Sequence, residues 1–187
     1  MKKYFITYRP FLRFLLVFFV SYGVLSFVYN QYLSLYENQT YPVDPVTEHI
    51  SHQVKYISNL LGGQTEIYKF EGEKWTRLFF IDRYVARIVE GCNAVSVMIL
   101  FASFVIAFAG NFKKTLLFIL SGVVFIHILN VFRIAALSYF LYYHPQYNHL
   151  IHGVLFPLVI YGFVFVLWIV WVKKYSGFIP KKINETP

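Results

Sequence analysis

The sequence predicts an all-α polytopic membrane protein with about four transmembrane helices and a small external α/β cap between the first and second. Three observations predict it. Of the 187 residues, 58% are hydrophobic and only 14% charged, too apolar a balance for an ordinary soluble domain. The apolar residues are gathered into four blocks at residues 11–29, 94–109, 116–143 and 150–172, near or above the ~20 residues that cross a hydrocarbon core. The third observation is where the charges fall: ten of the 17 basic residues stand at block ends, and eight of the nine acidic ones lie between Glu37 and Glu90.

The first block follows Lys2, Lys3, Arg9 and Arg13. A basic lead before an apolar run also fits a cleaved signal peptide. The block's length, its aromatics and the lack of a small-x-small cleavage site favour an uncleaved helix instead. The chain then spends residues 30–91 outside. Asp44-Pro45 reads as an N-cap followed by the first helical residue, and Val46, Ile50, Val54, Ile57 and Leu61 form an apolar stripe at helical spacing. This amphipathic helix ends at Leu61-Gly62-Gly63 and is expected to lie on the membrane surface or on the bundle.

Residues 65–70 and 74–81 flank Glu71-Gly72-Glu73, which reads as a β-hairpin. Residues 84–89 fit either a third strand or a helical lead into the second span. The second block is short by itself and reaches about 20 residues with Cys92, Asn93, Gly110 and Asn111. The third is 28 residues long, so it tilts or projects past the lipid boundary. No repeat or flexible linker divides the chain, so residues 1–187 read as one membrane domain, with residues 30–91 as its cap.

A net charge of +8 invites a nucleic-acid partner, but the distribution argues for the bilayer and against nucleic acid. Lys2, Lys3, Arg9 and Arg13, then Lys113 and Lys114, then Lys173, Lys174, Lys181 and Lys182 follow the positive-inside pattern. It puts both termini in the cytoplasm and the cap on the outer face.

Cys92 lies 21 residues before Lys113, Arg133 lies 19 after Lys114, and His152 lies 21 before Lys173. At ~1.5 Å of rise per residue, each stands about one hydrocarbon thickness from a lysine pair. If the lysines mark one face, all three residues meet at the other. Each also has a plain reading: a packing cysteine, an arginine snorkelling to the surface, a tolerated interfacial histidine. The functional reading gives a thiol favoured as thiolate by the N-terminus of the second span, a guanidinium able to hold a carbonyl, carboxylate or oxyanion, and an imidazole that titrates near neutrality. A metal centre on Cys92 and histidines competes with it, but His127, His144, His149 and His152 have no recognised ligand spacing.

At these residues the chain resembles the exosortase and archaeosortase family of membrane cysteine transpeptidases. Val89-Glu90-Gly91-Cys92-Asn93-Ala94-Val95 is similar to the family's cysteine segment, Asn130-Val131-Phe132-Arg133 to its Asn-x-x-Arg segment, and His152-Gly153 to the histidine segment before the last helix. The likeness covers about residues 85–172, and the short length resembles the F-type branch. Many relatives carry Cys-Ser-Gly where this chain has Cys92-Asn93-Ala94, and the larger members have more spans.

The resemblance implies a hydrolase of the cytoplasmic membrane, with its active site on the outer side. Cys92 would be the nucleophile, His152 the acid and base, and Arg133 the electrostatic stabiliser or substrate clamp. Asn130, Asn93, Glu90 and His127 are candidates for a supporting shell. The implied partners are secreted proteins with C-terminal transmembrane sorting tails, cleaved through a thioacyl intermediate that an amine or water resolves. No cofactor or metal is implied. A non-catalytic assembly protein that binds an export partner is the competing expectation.

Overall fold

In the computed structural model, residues 2–108 and 110–175 are described, with backbone alone for residues 2–7, Asn148, His152 and Phe156. Ala109, Lys181, Lys182 and Glu185 lie outside the described residues.

The chain is mostly helical. A long helix α1 (Lys2–Ser34) leads into α2 (Pro45–Leu60) and a small sheet of β1 (Thr65–Lys69), β2 (Trp75–Phe80) and β3 (Arg83–Val89). There follow α3 (Val95–Ala107), α4 (Phe112–Tyr143), the short α5 (Asn148–Leu150) and α6 (Phe156–Lys174). Among the described residues, three helical stretches are long and apolar enough to cross a membrane: Tyr8–Ser34, Phe112–Tyr143 and Gly153–Lys174. The second expected span is different. At 13 residues, α3 is about 20 Å long, short of a ~30 Å hydrocarbon core.

The amphipathic helix forms where the stripe predicts. Asp44 caps it by accepting from Thr47 N at 3.0 Å, with Pro45 at the first helical position; this satisfies a backbone N–H that has no intrahelical partner. Ile50 and Val54 are fully buried, but Leu61 is 72% exposed and stands past the helix end. The buried face also holds hydroxyls, which meet the sheet in pairs: Ser51 with Thr76 at 2.7 Å and Ser58 with Thr65 at 2.5 Å. The helix packs on α4 and the sheet.

The strands run β1-β2-β3, all antiparallel, with Thr65 opposite Phe80 and Trp75 opposite Val89. Gly72 turns the first hairpin at φ +73, in the region where a side chain is disfavoured. Nearby, hydrogen bonding from Arg77 holds the Glu73 carboxylate below its usual titration range. Residues 84–89, left open between strand and helix, belong to β3.

Two of the apolar cores among the described residues bear on the site. The cap core joins Ile50 and Val54 of α2, Leu78 of β2 and Ile88 of β3 to Val131, Ile134 and Ala135 of α4. The bundle core joins Phe101 and Val105 of α3 to Ile126 of α4 and to Val164 and Trp171 of α6. Gly122 lets α3 approach α4, because a Cβ there would collide with the Phe101 ring. The cores meet where the chain leaves the sheet: Cys92 packs against the first, while Ala94 belongs to the second.

Candidate active site

Cys92 closes the three-residue 3-10 turn Glu90–Cys92 that leads out of β3. It is half-buried and a free thiol. Contrary to expectation, it does not cap α3. Ala94 intervenes in a left-handed conformation at φ +61, and Asn93 Oδ1 accepts from Val95 N at 2.9 Å. The Val95 N–H, one of the helix-start groups expected to favour the thiolate, is therefore taken by Asn93.

Asn93 is 1% exposed and ties three helices together. Its amide nitrogen donates to Tyr29 Oη of α1 at 2.8 Å and to Thr47 Oγ1 of α2 at 3.1 Å, while its oxygen holds the start of α3. Glu90 lies near the same Tyr29 hydroxyl, so both residues stand around the Cys92 turn. Tyr29 and Thr47 were not singled out from sequence: one of 16 tyrosines at the end of an apolar block, and a threonine beside an apolar stripe, carry no distinguishing pattern.

Asn130 fixes the turn from the other side. It is fully buried on α4 and donates from Nδ2 to the Cys92 carbonyl at 2.7 Å. One turn on, Arg133 places its guanidinium within electrostatic reach of Cys92 and of Tyr161 on α6. Arg133 Nε is buried and has no hydrogen-bond partner among the described residues. Tyr161 is a further residue that the sequence did not reveal.

His127 lies elsewhere. It lines a cavity of about 420 Å³ between α2 and α4, with His52, Gln53, Tyr56, Ile57, Ile128, Val131 and Phe132, whose walls include neither Cys92 nor Arg133. Its histidine neighbour in charge terms is His49. The backbone of His152 belongs to a π-helical turn, Ile151–Leu155, leading into α6; its side chain is outside the described residues. Such turns are rare in helical proteins and recur at functional sites. Arg87 stacks over Trp75 at 5.1 Å, consistent with an ordinary structural role on the cap.

The geometry brings a thiol, a guanidinium and a carboxamide to one junction between cap and bundle. Such a cluster suits a thiolate nucleophile whose negative charge, and that of any oxyanion it generates, faces a fixed cation in a low-dielectric setting. Compared with family models, curated proteins and solved structures, the chain matches none.

Proposed function

We propose that this protein is a membrane-embedded cysteine peptidase or transpeptidase of the exosortase type, acting on C-terminal tails of secreted proteins at the outer face of the cytoplasmic membrane. The observation that carries the reading is the bond from Asn130 to the Cys92 carbonyl. It joins the cysteine segment to the Asn-x-x-Arg segment, whose Arg133 lies within electrostatic reach of Cys92.

Ala94 gives independent support. Its φ of +61 is a conformation that glycine adopts freely, and glycine is what many relatives carry there. Asn93 accepts a hydrogen bond at the helix start, a task serine performs equally well. The departure from Cys-Ser-Gly thus keeps the local backbone requirement.

Connectivity favours four crossings. The 32 residues of α4 extend about 48 Å; its C-terminal half packs on the cap, and Lys113 and Lys114 stand in its first turn. On this reading the chain crosses between leaving the cap at Cys92 and entering α4 at Phe112, with the short α3 in the middle of that stretch, and the positive-inside pattern then puts both termini inside.

In the reaction, the Cys92 thiolate attacks the scissile carbonyl, and Arg133 stabilises the oxyanion. Collapse breaks the C–N bond and the leaving amine takes a proton from His152. The thioacyl enzyme that remains is resolved by an amine or by water, which His152 deprotonates. No step calls on a cofactor.

The test follows the tails of secreted proteins ending in an apolar helix and a basic cluster. Cys92→Ala is expected to abolish tail removal, Arg133→Ala to slow it about 10² to 10³-fold, and His152→Ala about 10² to 10⁴-fold. Unchanged removal in the Cys92 variant would favour a non-catalytic assembly protein that binds an export partner.

A further inference from the structure

Two polar atoms beside Cys92 are cut off from solvent and have no partner among the described residues: Asn130 Oδ1 and Arg133 Nε. Asn130 is wholly buried, and its amide nitrogen is already committed to the Cys92 carbonyl. The free end of that amide is therefore its oxygen, an acceptor; the arginine nitrogen is a donor. Leaving either group buried and unpaired is costly, so the pair calls for a partner.

The two residues are three apart on α4, about 4.5 Å along its axis and neighbours on the helix surface. An anion, which only accepts, would satisfy Arg133 and leave Asn130 unpaired. A partner for both must present an N–H and a carbonyl side by side. One residue of an extended polypeptide does so, since its N–H and C=O point to the same side of the strand.

We propose that Asn130 Oδ1 and Arg133 Nε form a two-point clamp for the main chain of one extended peptide residue seated beside Cys92. That this peptide is the substrate rests on the peptidase reading. Because both atoms are covered in the free chain, seating the peptide opens the packing above them. Proline at the clamped residue lacks the N–H and is refused.

Alkylation tests the clamp without a known substrate, because Cys92 is the chain's only cysteine. In each reaction the thiolate sulfur forms a bond to the reagent's methylene carbon and iodide leaves. The full chain in detergent is treated with iodoacetamide, its N,N-dimethyl counterpart, which has no N–H, or iodoacetate, which has acceptors only. Each rate is divided by that of the same reagent with N-acetylcysteine.

The clamp predicts that iodoacetamide leads both others by about tenfold, the scale of one hydrogen bond. Asn130→Leu should erase the lead over the dimethyl reagent; the wild-type series decides the question even if that variant fails to fold. Equal rates for the two amides, fastest labelling by iodoacetate, or no labelling of Cys92 overturns the proposal. Equal amide rates alongside tail removal that requires Cys92 would sink the clamp alone. A tenfold amide preference with tail removal indifferent to Cys92→Ala would sink the peptidase reading alone.

Discussion

Ala94 carries the backbone from the Cys92 turn into α3 in a left-handed conformation. A non-glycine residue held in the left-handed region costs on the order of 1–3 kcal/mol and persists only where its surroundings dictate it. Here Asn93 supplies the constraint, bonded to Tyr29, Thr47 and Val95 around a buried amide. Ala94→Gly should therefore be tolerated, with stability within about 0.5 kcal/mol of the parent or better. Ala94→Val, with a β-branched side chain at positive φ, should cost about 2 kcal/mol. Thermal unfolding in detergent checks both, and equal effects would contradict the left-handed geometry. At this scale the sequence marks candidate residues by type and is silent about how they are held. Cys92, Asn130 and Arg133 stand out by type and spacing, whereas the Tyr29–Asn93–Thr47 contacts join positions 64 and 46 residues apart, which no local pattern reveals.

Elements were legible where local chemistry is strong. The Asp44-Pro45 cap and the Ile50, Val54 stripe announced α2, and Gly72 announced the first hairpin. β3 stays open between strand and helix in the sequence, and its turn explains why. Ile81 and Asp82 both have positive φ, at 48° and 58°, the geometry of a tight two-residue hairpin that ordinarily selects Asn-Gly or Asp-Gly. With isoleucine at the first position the turn carries no sequence mark and stores strain. Replacing the pair by Asn-Gly should stabilise the cap by about 1 kcal/mol, measured as a raised unfolding temperature; a lowered one would count against the turn. The second apolar block contains a helix shorter than the block itself, because Asn93 and Ala94 stand outside it. In the fold, the left-handed Ala94 and the Asn111 cap of α4, accepting from Lys113 N at 3.1 Å, cut α3 to 13 residues.

For the whole molecule, α4 is the member shared by both cores: Ile126 packs in the bundle, and Val131, Ile134 and Ala135 pack in the cap. Asn130 and Arg133 lie on that stretch of α4, so the site is assembled only when cap and bundle are docked together. The contact that joins the cysteine segment to α4 across this junction is the bond from Asn130 to the Cys92 carbonyl. The central claim is that Cys92 takes on an acyl group from a secreted protein's tail. Its most direct test is the mass of the Cys92-bearing peptide, isolated by acid quench after co-expression of the parent enzyme with a secreted protein ending in an apolar helix and a basic cluster. The account predicts an acyl adduct on Cys92 that hydroxylamine removes and that Cys92→Ser shifts or abolishes. Tail removal at full rate by Cys92→Ala, with no adduct on the parent enzyme, would contradict it.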